Sequence, residues 1–338
     1  MARYIADQNK VALLHESGTY SVASGAAGVG IWIGEVTEHT INDVENKLEN
    51  KYLGTATRSY DSFELGPRDV TGTLTYNTQD MRLPFFAIGS TVDGTSGPNV
   101  QHWTTQVNTN LRQSAFTSGT LNPPISFTLE DSKQSVGTGR NFVRTIKGVV
   151  PNTSTITATQ GEKIVVAVDY VGQTLVASSG TTTTITQDTK KPYLWDSSSI
   201  TVNGSVLQTA KEISLEINQN VEAPHYLNGS RDISVPFMGN REYTMNVTMD
   251  LEGTEADALY NDLYKLGSQF NITWDLNQDS AVTGSQHTIF VLSGCNITSF
   301  DNPSTVEGLT ESTMEIRPKD ISAIEHTSSA SAFEFNAY

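Results

Sequence analysis

The sequence predicts a mainly β protein built as two tandem β-sandwich or barrel units, each with one short helix. Three observations predict it. The chain nearly repeats itself: Leu65-Gly66-Pro67-Arg68-Asp69-Val70-Thr71-Gly72-Thr73-Leu74-Thr75-Tyr76 aligns without a gap on Met238-Gly239-Asn240-Arg241-Glu242-Tyr243-Thr244-Met245-Asn246-Val247-Thr248-Met249. Arg58 falls on Arg231 at the same offset. Both copies then alternate with a period of two. Tyr243, Met245, Val247 and Met249 oppose Glu242, Thr244, Asn246 and Thr248, while Val70, Gly72, Leu74 and Tyr76 oppose Asp69, Thr71, Thr73 and Thr75. That pattern describes an antiparallel sheet with one wet face. Finally, 338 residues exceed one typical core, and a hydrophobic fraction of 37% is enough for packed domains. Thr, Ser, Asn, Gly and Val dominate, a mixture that favours strands and turns.

Residues 1–30 mix Tyr4, Val11, Leu13 and Leu14 with several glycines. They read as an N-terminal arm, either docked on a neighbouring subunit or frayed. The first unit spans 31–175. Strand signals fill 31–76, with a hairpin of 55–64 and 68–76 turning at Leu65-Gly66-Pro67. Its counterpart, 229–237 and 241–251, turns at Gly239-Asn240. The best helix signal is Thr254 to Gly267: Thr254 caps it, Asp257 completes a capping-box-like start and Gly267 ends it. The equivalent stretch 78–89 contains Pro84, which predicts a short or distorted helix. Residues 90–124 read as a long Ser/Thr/Asn/Gly-rich loop. Strands at 125–130, 141–151 and 162–171 close the first unit, and 269–276, 287–299 and 310–317 mirror them. Residues 176–190 read as a linker, 191–325 as the second unit and 326–338 as a C-terminal tail.

The formal net charge is −16 and no basic run occurs, so the chain should repel a phosphate backbone. The single cysteine, Cys295, excludes an intrachain disulfide and reads as a small buried core residue. No histidine lies two or four residues from another, and neither a nucleophile elbow nor a Walker A loop is present. Asp275, Asn277 and Asp279 begin a calcium-loop spacing, but Ser280 and Gln286 replace its Gly and Glu; a polar hairpin loop explains them. Glu130 and Asp131 are neighbours on a strand and point to opposite faces, which reads as a solvated strand end. No catalytic residue, metal or cofactor is predicted. The first residues lack the apolar stretch of a signal peptide, so assembly is expected in a cytoplasm. Arg58, Arg68, Arg231 and Arg241 recur in the repeat. Each either pairs with a local carboxylate or makes an inter-subunit ion pair, formed twice per chain.

The run from Ile200-Thr201-Val202-Asn203-Gly204 through Ile213-Ser214-Leu215-Glu216-Ile217 to Gly229-Ser230-Arg231 and Gly239-Asn240-Arg241-Glu242-Tyr243-Thr244 resembles the tail tube (major tail) proteins of long-tailed bacteriophages and related archaeal viruses. A fainter version runs from Gly34-Glu35-Val36 to Tyr76. The resemblance implies two tail-tube-type domains per chain, with strands joining across subunits. Three chains then make a pseudo-hexameric ring, and rings stack head to tail. It also implies a tape-measure protein, a tail terminator and tail-tip proteins as partners, a place in the virion tail, and viral DNA passing through the lumen without specific binding. Asp69, Thr71, Thr73, Thr75, Glu242, Thr244, Asn246 and Thr248 are then expected to face that lumen. A tandem β-sandwich adhesin and the tube of a contractile injection system are the alternative readings.

Overall fold

Strands supply nearly all the regular structure, as a chain rich in Thr and Val requires. A computed structural model describes residues 9–16, 21, 29–50, 62–79, 81–93, 100–105, 126–134, 141–179, 183–185, 191–250, 258–279, 287–302 and 311–326. The first strands are β1 (Lys10–His15), β2 (Val29–Gly30), β3 (Gly34–Asn50) and β4 (Ser62–Thr78), followed by α1 (Arg82–Ile88). Next come β5 (Gly89–Asp93), β6 (Val100–Thr105), β7 (Phe127–Gln134), β8 (Asn141–Thr159), β9 (Val165–Gly172), β10 (Thr174–Ser178) and β11 (Thr184–Ile185). The second half holds β12 (Leu194–Val202), β13 (Ser205–Val206), β14 (Ala210–Asn218), β15 (Val221–Glu222), β16 (Phe237–Met238) and β17 (Glu242–Asp250). A π-helix, Ala258–Lys265, precedes β18 (Phe270–Asn277), β19 (His287–Asp301), β20 (Glu311–Arg317) and β21 (Asp320–His326).

The central feature is one antiparallel sheet of eight strands in the order β3-β4-β9-β8-β14-β17-β20-β19. The first four strands come from the first half of the chain and the last four from the second. Each half adds a second layer, β1-β7-β8-β10 in the first and β13-β12-β18-β19-β21 in the second. The layers share one apolar core, in which Val70, Leu74, Tyr76, Leu129 and Ile146 of the first half join Met245, Val247, Ile272, Trp274 and Met314 of the second.

The sequence repeat is also a repeat of irregularities. β3 and β14 each carry a bulge at equivalent points, Val36/Glu38 and Ala210/Glu212. β8 and β19 carry another at Pro151/Thr153 and Ile297/Ser299. These two strands serve both layers, and each bends at a glycine of positive φ, Gly148 (64°) and Gly294 (62°). A left-handed backbone there favours glycine, and bulges of this kind re-aim a strand.

Several expectations need correction. Leu65-Gly66-Pro67 is not a turn, because β4 runs through it and pairs along its length with β3. The ladder absorbs Gly66 and Pro67 as a bulge opposite Asn46. Before Val70, β3 is the only ladder partner of β4, and Pro67 falls in the bulge, where a residue without an N–H is tolerated. The range 90–124 is not all loop. β5 and β6 form a hairpin whose β6 edge pairs with β21 of the second half. Glu130 and Asp131 are buried rather than solvated. Thr183 donates its N–H (2.7 Å) and its hydroxyl to Glu130, and Arg144 pairs with Asp131. β1 on one side and β8 on the other leave β7 no wet edge.

Other expectations stand. Pro84 lies in the first turn of α1, where a missing N–H is tolerated, and the helix is short. Of the second helix, 258–265 is described and is π-helical; its expected cap at Thr254 lies outside the described residues. Cys295 is buried. The expectation of an arm, by contrast, does not hold for residues 10–16, which belong to the first second-layer sheet of their own chain through the pairing of β1 with β7. Leu13 is in the core, and the Glu16 carboxylate accepts hydrogen bonds from the Ser126 and Thr128 hydroxyls and from the N–H groups of Gly148 and Ser21.

At the β3 side of the long sheet, Tyr170 on β9 reaches across Gly72 to bond His39 Nε2 at 2.8 Å. Burial pushes the His39 imidazole from 6.5 down to about 4, against the attraction of Asp131 and with the repulsion of Arg144 and Lys133. The unfolded chain therefore binds this proton more readily than the folded one. Stability should be full above pH 6.5 and fall by ~3 kcal/mol as the pH drops to about 4. Urea midpoints measured across that range should show the loss, and His39→Gln should flatten this part of the profile.

Candidate functional site

The face of the eight-stranded sheet turned away from the core is a candidate functional surface. Its composition follows from the alternation of each strand. β8 contributes Thr153, Thr155, Thr157 and Thr159, while β14 contributes Glu212, Ser214, Glu216 and Asn218. Pairing aligns these into rows across the sheet. One row runs Thr40, Thr73, Asp169, Thr153, Asn218, Glu242. The next runs Glu38, Thr75, Ala167, Thr155, Glu216, Thr244.

All eight residues expected on a polar face lie on this one. Asp69, Thr71, Thr73, Glu242 and Asn246 are exposed, and Thr75, Thr244 and Thr248 are half-buried. Thr248 and Thr313 face each other across two strands with hydroxyls 3.3 Å apart. Asp69 Oδ1 lies 2.9 Å from His225 Nε2 of the second half. Carboxylates far outnumber cations here. Glu38, Asp169, Glu212, Glu216 and Glu315 accompany the hydroxyls. On β20, Arg317 stands 3.1 Å from Glu315, whose carboxyl is held below its usual range by hydrogen bonds from Thr298 and Arg317. At the far end of the face, Lys211 is neutralised by both Asp250 (2.7 Å) and Glu311 (2.6 Å).

The four repeated arginines do not act alike. Arg68 clamps Asp43 of its own hairpin with two bonds of 2.7 Å and holds that carboxyl below its ordinary range. Arg231 links the halves of one chain: its Nε donates to Gly66 O at 2.9 Å, a guanidinium nitrogen lies 3.7 Å from Glu45, and its carbonyl accepts from Arg68 N. Arg241 approaches the sulfur of Met238. Arg58 lies outside the described residues.

Sequence reasoning missed β8, β9, β14 and β20 as contributors to this face. The signal was present in the run Thr153-Ser154-Thr155-Ile156-Thr157-Ala158-Thr159, which alternates as cleanly as the repeat. Asp169 and Glu315 were less legible, because nothing local shows that β9 and β20 sit beside the repeated strands.

No curated protein matches the chain. A family model described as phage tail tube protein matches residues 77–323, which takes in six of the eight strands of the long sheet and leaves out β3 and all but the end of β4. That match covers well over half of the sequence, and the chain belongs to the phage tail tube protein family.

Proposed function

We propose that this structural protein of the virion tail closes as three copies into a pseudo-hexameric ring, with residues 31–175 and 191–325 as its two tube-forming units. Rings stack head to tail into a hollow tube, a heterologous arrangement that grows until another component stops it. The carrying observation is the eight-stranded sheet: each half supplies four equivalent strands in equivalent order, so the chain already contains one joint between ring units. The face rich in threonine and carboxylate lines the lumen, where it repels phosphate and lets viral DNA slide.

Stacking falls to the part of the β3–β4 hairpin that extends past β9. There Phe63 and Leu65 lie on one face of the hairpin, each more than half exposed, an apolar pair suited to burial against the next ring. A tape-measure protein, a tail terminator and tail-tip proteins complete the partner set. The tube assembles in the host cytoplasm and needs no enzymatic activity or cofactor.

Negative-stain electron microscopy of the purified chain, at high concentration and varied salt, tests this. Hollow tubes or pored rings with three-fold class averages are expected. Solid filaments, or rings lacking three-fold symmetry, would count against the arrangement.

A further inference from the structure

The chain carries a copy of its own joint at its two free edges. Within the chain, β8 pairs antiparallel with β14: Thr153 faces Asn218, Ser154 faces Ile217, Thr155 faces Glu216 and Ile156 faces Leu215. The structural repeat assigns a counterpart to each partner. β3 corresponds to β14, since they pair with the equivalent strands β4 and β17 and share a bulge. β19 corresponds to β8, since they pair with the equivalent strands β9 and β20 and share both a bulge and a left-handed glycine. Among the described residues, β3 has a ladder only with β4, and Asn296–Asp301 of β19 only with β20. One edge of each is open. Such edges template pairing with another chain.

We infer that β19 of one copy adds to β3 of a second copy in the register that the internal joint dictates: Ser299 opposite Val44, Phe300 opposite Asp43, and Asp301 opposite Asn42. This rests on the tube reading and deepens it by naming the two edges and their alignment. The side chains agree with it. Asn42 and Asp301 meet on the polar face, where an amide donates to a carboxylate. Phe300, already packed against Tyr260 and Tyr264, stays on the core side. Asp43 comes opposite it with its charge held by Arg68. A slip of one residue would turn Phe300 out onto the polar face, and the alternation forbids it.

Disulfide trapping tests the register. Directly opposed residues of an antiparallel pair have Cα atoms about 4.5–5.5 Å apart, within disulfide reach. The native Cys295 is buried, and burial pushes its thiol up to about 11, so it does not compete. The variant Val44→Cys/Ser299→Cys should give covalent oligomers on mild oxidation, ending in a closed trimer. The slipped pair Val44→Cys/Phe300→Cys should stay unlinked. The internal pair Thr153→Cys/Asn218→Cys should close within one chain and serves as the control for folding and geometry.

Tubes that form while the control closes and the Val44/Ser299 pair does not link would overturn the register and leave the tube reading standing. Linking of the slipped pair would do the same. Covalent oligomers without hollow rings would keep the edge pairing and remove the tube reading. Neither links nor rings would remove both.

Discussion

Replacing Gly72 by methionine is expected to destabilise the chain by about 3 kcal/mol, the upper part of the usual range for overpacking. Methionine is the residue that the second half itself uses at this point: Met245 is fully buried opposite Ile316, where Gly72 lies opposite Tyr170. By the repeat alone the exchange looks conservative. The packing says otherwise. A Cβ on Gly72 would stand 2.5 Å from Tyr170 Cζ, and nearer still to the Tyr170 hydroxyl and the Thr40 carbonyl. The volume that the second half places on β17 has been moved onto β9, and Tyr170 uses the vacated space to reach His39.

The double variant Gly72→Met/Tyr170→Ile transplants the second half's pair. It should recover part of the loss, giving a coupling of about 1–3 kcal/mol in a double-mutant cycle. Recovery stays incomplete for two reasons. The Thr40 carbonyl is backbone and cannot rotate away, and the hydrogen bond to His39, worth roughly 1 kcal/mol, is gone. Chemical denaturation of the four proteins decides the matter. A single Gly72→Met variant within 0.5 kcal/mol of the parent would show that the strands part without cost.

The same site shows where sequence reasoning succeeds and where it stops. Alternation alone identified both copies of the polar face, because a period of two needs no knowledge of neighbours: Thr71 and Thr244 face the same way whatever lies beside them. The extents of β9, β18 and β20 were legible as well, whereas β7 runs on past the expected end at residue 130 to Gln134. What failed was pairing. Gly66-Pro67 has the composition of a turn, and only the lone partner strand β3 lets it remain in a ladder. Glu130 and Asp131 have the composition of a wet strand end, and only Thr183 and Arg144, both distant in sequence or on another strand, make them internal. The β5–β6 hairpin is invisible from composition, since the edge it completes is β21, more than two hundred residues away. Local chemistry sets which face a residue takes. Which strand lies alongside depends on the whole chain, and the row from Thr40 to Glu242 could not be written without it.

Lysine at Asp169 and Glu242 is expected to turn a tube that ignores DNA into one that holds it. The two residues stand in one row of the polar face, from opposite halves of the chain, and both are exposed. Exposed substitutions of this kind cost within about 0.5 kcal/mol, so rings should still form. Each exchange removes a carboxylate and adds an ammonium, and the proposed pseudo-hexameric ring would multiply the change around its lumen. Short linear duplexes should then be retained by preassembled tubes, with log affinity falling against log salt by about 0.9 for every phosphate neutralised. Parent tubes should retain none.

Covalently closed circular DNA supplies the discriminating arm, because it cannot thread a tube. If the polar face lines the lumen, the variant tubes hold the linear duplex and release the circle. Equal binding of both would place Asp169 and Glu242 on the outer wall and reverse the assignment of the face. In phage carrying the variant chain, the same lysines should slow DNA ejection, most strongly at low salt, where phosphate attraction is least screened. On the proposed assignment an acidic lumen is a kinetic requirement: a conduit whose wall gained even modest affinity per ring would sum that affinity over every ring the genome must pass.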